Sequence, residues 1–394
     1  VTGRIVQRGD SLVISAELVD ARSNRSLWGE QYNRKLADLL TVQQEIAREI
    51  SDQLRQQLTG EEKKKLAQKG GTSDAEAYQL YLKGRFYFEQ RTEESLKKAI
   101  GYFEQAIARD PNFALAHAGL SDCYGVIWNY APVKSSEAAP KAKAAAQKAL
   151  AIDETLAEAH TSLASALELE WDWIGAEREY KRALELDPNY ALAHTWYWSF
   201  LASSGRAEEG SAQIQRAKEL DPFNLIINSN LAQDLFYRRQ YERAAEQARY
   251  TLSLDPNFAS AHLDLGRFYF WMGKYRESLE ESQKGAALEN DQEELAIHRA
   301  MAEAYAASGL QGSLRKELEL RTALAKRRHV NATEFARIHA LLSEKEEAFR
   351  WLNRALEDRE YALYGSGIKS SPAFDSLRSD PRYKEILRKM NLPE

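Results

Sequence analysis

Cysteine is nearly missing from this chain: Cys123 is the only one in 394 residues. No internal disulfide and no cysteine-based zinc site can therefore hold it together. No run of about 18 apolar residues is present of the kind a membrane span needs, and no secretory leader pattern opens the sequence. An excess of one charge sign is missing too. Lys and Arg number 54 against 59 Asp and Glu, a net charge of −5 with the signs interspersed, which supplies no basic field for nucleic acid. Nor is there a phosphate-cradling glycine loop, a His-Glu-x-x-His pair, a nucleophile elbow or an EF-hand loop. With so many carboxylates, pairs at helical spacing arise by chance and sit among Lys and Arg, as on solvated helix faces. The expectation is a chain with no catalytic residues, no cofactor and no metal, yet with 44% apolar residues, enough to build a core.

What is there is a repeat. Leu-Asp-Pro recurs at Asp187-Pro188, Asp221-Pro222 and Asp255-Pro256, a step of 34 residues each time, and each is followed by an apolar-led helical stretch. A fixed period of about 20 to 50 residues marks a solenoid, whose units cannot bury an apolar face alone and must stack. The first unit carries Gly84, Tyr87, Ala99, Phe103 and Ala106 before Asp110-Pro111-Asn112. Small residues let two antiparallel helices approach, large ones fill the space between units, and proline ends the second helix. This pattern resembles the tetratricopeptide repeat (TPR). Later units keep it with Ala176, Tyr180 and Ala183, with Ala217, and with Leu265-Gly266, Tyr269 and Gly285. Trp198 stands in one glycine slot and Thr251 in one alanine slot, and both are expected to loosen packing locally. The step from Asp110 to Asp153 is 43 residues, so a longer loop around Trp128-Asn129-Tyr130-Ala131-Pro132 to Pro140 is expected to project. Ala302 with Tyr305, and Ala336 with Ala348 and Ala355, extend the count to about eight helix pairs.

Residues 1–34 read differently. Arg4 to Gln7, Leu12 to Asp20 and Ser26 to Tyr32 are β-branched and partly alternating, which predicts a three-stranded meander. Val42, Ile46, Ile50, Leu54 and Leu58 recur every four residues after a Thr41-Val42-Gln43-Gln44 capping box, along one stripe of a long helix. Glu61 to Lys65 reads as its solvated continuation. The run Val1-Thr2-Gly3, Ala16-Glu17-Leu18-Val19-Asp20-Ala21, Leu27-Trp28, Tyr32 and Val42-Gln43-Gln44-Glu45-Ile46-Ala47 resembles the carboxy-terminal half of TolB-like amino-terminal domains. In bacteria these commonly precede repeat arrays in sensory regions of serine/threonine kinases, adenylate cyclases and winged-helix regulators. The chain starts at Val1, inside a strand-like stretch, and is expected to be a piece of a longer protein of unknown compartment. The expected organisation is a partial TolB-like α/β segment over 1–59, a linker over 60–74, the TPR array over 75–358 and a carboxy-terminal cap over 359–394. The Ser73-Asp74-Ala75-Glu76 capping box opens the array. The cap ends in Ser379-Asp380-Pro381-Arg382-Tyr383, Ile386, Leu387 and Met390, and is expected to cover the last unit's apolar face.

Five of the seven histidines, His117, His160, His194, His262 and His298, fall in one repeat slot, the fourth position of the first helix. Neighbouring first helices lie about 10 Å apart or more, whereas zinc needs its ligands within ~2.1 Å of one ion, so these histidines are expected to pack rather than ligate. The groove carries the functional expectation. The positions that face the ligand in TPR arrays correspond here to Tyr78, Tyr81, Arg85 and Phe88, to Thr195 and Ser199, to Gln233, Phe236 and Tyr237, and to Leu263, Arg267, Phe270 and Trp271. With Arg238 and Arg239, the last units present a patch of aromatics and arginines, the residue types that dominate binding hot spots. Such a patch suits an acidic or carboxylate-ended peptide. The expectation is a protein-interaction scaffold for a protein or peptide partner, or else a sensor region acting in cis on a kinase, cyclase or DNA-binding domain. The Trp128 loop and an open sheet edge offer self-association surfaces, so a homodimer is a further expectation.

Overall fold

A computed structural model describes residues 2–8, 11–20, 25–35, 71–365 and 367–392. The chain forms two compact units, Val1–Lys69 and Gly70–Glu394. In the first, β1 (Thr2–Arg8), β2 (Ser11–Asp20) and β3 (Arg25–Lys35) form an antiparallel meander in the order β1-β2-β3. Ile5 is opposite Ile14, and Ile14 is opposite Tyr32. The expected helix stripe from Val42 to Leu58 and the Glu61 to Lys65 run lie outside the described residues.

The second unit is an α-solenoid of eight TPR-like helix pairs. They are α1 (Ala75–Glu89) with α2 (Glu93–Arg109), α3 (Ala114–Val126) with α4 (Ser135–Ile152), and α5 (Ala157–Leu169) with α6 (Trp173–Leu186). Next come α7 (Ala191–Ser203) with α8 (Ala207–Leu220), α9 (Leu225–Tyr237) with α10 (Tyr241–Leu254), and α11 (Ala259–Trp271) with α12 (Tyr275–Leu288). The seventh pair is the two arms of α13 (Gln292–Leu324), broken at Gly309, where φ is 66°. That left-handed value costs glycine nothing and a side chain something. The eighth pair is α14 (Ala332–Leu341) with α15 (Lys345–Glu357). After it come α16 (Tyr361–Gly365), a 3-10 turn at Pro372–Leu377 and α17 (Pro381–Lys389).

The repeat residues do what their sizes require. A Cβ on Gly84 or Gly119 would sit 2.6 Å from the ring of Phe103, so glycine is what lets that fully buried ring wedge between pairs. Each Asp of an Asp-Pro-Asn corner accepts the backbone N–H two residues on, as Asp187 does from Asn189 at 2.9 Å. The proline that follows has no N–H to continue the helix. The shared histidine slot closes the same corner: His117, His194 and His262 donate from Nε2 to the carbonyls of Pro111, Pro188 and Pro256 at 3.0 Å. Asn228, in the same slot, donates to Pro222. His298 departs from this. Asp291 caps α13 directly, without the Pro-Asn corner, which makes His298 the seventh residue of its helix and leaves it no corner carbonyl.

Two departures from the repeat pattern do not loosen the packing as their sizes suggest. Trp198 is buried and donates to Asp234 at 3.0 Å, and it fits because Gly210 faces it: a Cβ there would meet the Trp198 carbonyl at 3.2 Å. Thr251 is buried with its hydroxyl on the Gln247 carbonyl. Two smaller corrections concern α1 and α4. The residue that caps α1 is Asp74 rather than Ser73. The extra residues after Asp110 are divided: the connection 127–134 is eight residues long against three between α5 and α6, and α4, which holds Pro140 inside it, has 18 residues against 14 in α6.

Candidate protein-binding groove

The first helices of the pairs line one face of the array, and part of that face is already filled. The carboxy-terminal segment packs on α15 of the last pair and also crosses to the middle of the array. The largest apolar cluster joins Tyr361, Tyr364, Phe374, Ile386 and Met390 to Leu167, Trp173, Phe200 and Leu201. Polar contacts fix the register. The Tyr361 hydroxyl donates to Glu168 at 2.8 Å, and Tyr180 donates to the other oxygen of the same carboxylate. Tyr364 donates to the Phe200 carbonyl at 2.8 Å and stacks on Trp173 with ring centroids 4.2 Å apart. Trp173 in turn donates to the Met390 carbonyl at 2.6 Å. Burial pushes the Glu168 carboxyl up to about 7 against the pull of its two tyrosine hydroxyls.

The same segment explains Trp128. Far from projecting as a self-association surface, its ring packs edge-on against Tyr361 at 4.7 Å and its indole donates to the Gly125 carbonyl. The chain there is turned inward.

Each arginine of the expected patch has an internal carboxylate. Arg85 donates to buried Asp122 at 2.8 Å, Arg238 lies 3.7 Å from Asp234, and Arg267 is 2.5 Å from Asp264. Arg239 reaches the carboxy-terminal segment, donating to the Ser370 carbonyl at 2.6 Å and to Asp375 at 2.8 Å. An acidic ligand would have to displace these partners. Gln233 donates to Asp264. Phe88 and Phe236, expected on the groove surface, are core residues at 0% and 1% exposure, and Thr195 is buried with its hydroxyl on the Ala191 carbonyl. Tyr78 and Tyr81 pack around Phe113, and burial raises the Tyr81 hydroxyl to about 12.

Beyond the filled stretch a cavity of about 850 Å³ stays open, and here several of the expected residues do meet. Tyr237, Leu263, Arg267, Phe270 and Trp271 line it together with residues of α13 and α14, Trp128 to Pro132, Ala362, Ser371 and Ala373. Phe270 stands edge-on to Trp271 and to Tyr275. The α13–α14 wall is a charge network that slot counting missed. Buried Glu317 takes Arg321 at 3.0 Å and Arg337 at 2.5 Å, and Arg321 also forks onto Glu294 at 2.9 and 3.1 Å. Burial works to raise the Glu317 carboxyl, but the two guanidiniums win and hold it at about 2. The only sequence signal for this network was the Glu and Arg content of a stretch where the repeat signature fades.

Among the described residues, no group of three His, Cys, Asp or Glu side chains is placed to hold a metal ion, and no helix is long and apolar enough to cross a membrane. The fold is a TPR-like α-solenoid, and its own carboxy-terminal segment packs on α5, α6 and α7. No family model matches the chain. Its fold is similar to that of a human IFIT1 dimer with m7Gppp-AAAA, at 14% identity and a TM-score of 0.50, over 75% of this chain and 67% of that one. It is also similar to Pseudomonas aeruginosa PilF, at 22% identity and a TM-score of 0.41, over 55% and 93%. A stretch of 120 residues is 34% identical to putative adenylate cyclase 3 of Rhizobium meliloti (strain 1021). That stretch is 30% of this chain and spans about a fifth of the relative's length, 20%.

Proposed function

We propose that this chain is a non-enzymatic recognition scaffold that seats a segment of a protein partner along its first helices. The observation that carries the reading is the chain's own carboxy-terminal segment, held in the groove by aromatic side chains and a few directed hydrogen bonds. Large rigid aromatics with a polar handle are the groups that anchor segments at interfaces. The open cavity beside it is lined by Phe270, Trp271 and Tyr275 in the same style. A second reading is favoured by the stretch similar to an adenylate cyclase and by the amino-terminal resemblance to TolB-like domains: the scaffold is a sensor region that relays partner binding to an output domain on the same polypeptide.

Capture from a lysate of the native cells tests the first reading. A double variant, Phe270→Ala with Trp271→Ala, is expected to lose the partner that the parent retains, since one hot-spot aromatic contributes about 2 kcal/mol or more. Equal capture by parent and folded variant would remove the cavity from the reading.

A further inference from the structure

The charges that line the open cavity do not cancel. Its wall carries seven carboxylates against four arginines, and the arginines are all engaged: Arg321 and Arg337 by Glu317, Arg267 by Asp264, and Arg328 by Asp291, Glu293 and Glu294 at 3.3 to 3.6 Å. Among the described residues one lining carboxylate, Glu289, has neither an ion pair nor a side-chain hydrogen bond. It sits at the end of α12, half-buried, and burial together with Asp291 and Glu294 raises its carboxyl to about 7. Tyr130 lines the same cavity.

A second group in the same wall is also short of a partner. The Nδ1 atom of His298 is buried without a hydrogen bond, whereas Nδ1 of His160, His194 and His262 meets Glu179, Gln213 and Glu281 of the second helix. Burial lowers the His298 imidazole below its ordinary value, so near neutral pH the ring is uncharged and has a nitrogen free to accept. A carboxylate and an imidazole nitrogen are thus both without donors, in a cavity that Tyr130, Trp271, Phe270 and Tyr305 also line. Buried acceptors without donors cost free energy that a donor-rich ligand recovers, and aromatic faces attract a cation electrostatically. An acidic ligand would gain neither.

We infer that the cavity receives a basic side chain of the partner segment, with Glu289 as its counter-charge, His298 as a second acceptor and the Tyr130 and Trp271 rings as its flanks. This deepens the scaffold reading and reverses the sign of ligand that the arginine-rich patch suggests from sequence. Arginine fits best, since a planar guanidinium offers five N–H donors and stacks on rings.

The test uses the full chain and fluorescein-labelled pentapeptides Ala-Ala-X-Ala-Ala, blocked at both ends, with X as arginine, citrulline or glutamate. Citrulline keeps the shape of arginine without the charge. Fluorescence anisotropy at pH 8 is expected to give the arginine peptide at least tenfold tighter binding than the other two. Glu289→Gln should weaken the arginine peptide at least fivefold, while Glu246→Gln, on the exposed face of α10, should leave it unchanged. Removing a carboxylate that has no partner does not threaten folding, which circular dichroism of the variant checks. Equal affinity for arginine and citrulline, tighter binding of the glutamate peptide, no saturable binding of the arginine peptide, or an unaffected Glu289→Gln variant would each overturn the inference. Arginine-peptide binding that depends on Glu289, without any captured protein partner, would retain the cationic site and discard the scaffold reading.

Discussion

Replacing Tyr364 by alanine is expected to lower stability by about 3–5 kcal/mol, the usual cost of truncating a fully buried aromatic. Its ring has 0% exposure and stacks on Trp173, and its hydroxyl donates to the Phe200 carbonyl and shares a contact with Ser204 at 3.1 Å. The loss would not stay local, because the same cluster contains Leu352 and Phe349 of the last pair and Leu167 and Leu201 of the middle pairs. Unseating Tyr364 therefore uncovers two faces at once. Tyr364→Phe keeps the ring and removes the hydroxyl, for about 1 kcal/mol. Thermal unfolding followed by tryptophan fluorescence ranks the three proteins. An alanine variant that melts with the parent would mean that the segment is not seated in solution.

Replacing Glu317 by glutamine is expected to cost about 3–5 kcal/mol, because it leaves Arg321 and Arg337 without the central buried charge that neutralises them. Arg321 keeps its fork to Glu294, which places the loss toward the lower end of that range. The same site makes a pH prediction. The Glu317 carboxyl is held at about 2 in the fold and titrates near 4.3 in an unfolded chain. Its folded value is depressed, so its contribution is complete above the unfolded value and disappears as pH falls from about 4.3 toward 2. Urea titrations at pH 7 and pH 3 should show a smaller gap between parent and Glu317→Gln at pH 3. A gap that does not change with pH would remove Glu317 from this role.

The array was legible because its evidence is local and repeated. A 34-residue step, with small residues where helices touch and Asp-Pro where they end, specifies each pair without long-range information, and the eight pairs follow. The meander of β1 to β3 was legible from alternation. What sequence reading missed is non-local. Nothing periodic links Tyr361 to Glu168 or Tyr364 to Phe200, 193 and 164 residues apart, so the segment read as an end cap alone. Slot counting also names a face without saying who else occupies it. Phe236 was assigned to the groove, yet it packs against Phe268 at 5.2 Å, under the guanidinium of Arg267. The arginines were read as free for an acidic ligand because their carboxylates, Asp122 for Arg85 and Asp375 for Arg239, lie 37 and 136 residues away. The surplus of carboxylates around Glu289 shows itself only once those pairs are made.

Hydrogen exchange across the carboxy-terminal segment tests the account most directly, because both the filled groove and the open cavity depend on where that segment sits. The account predicts that amides of α16 and α17 exchange as slowly as those of α5 and α7, and that Tyr364→Ala speeds exchange in all four together. Exchange of α16 and α17 within seconds, with α5 and α7 still protected, would contradict it and return the whole concave face to the solvent.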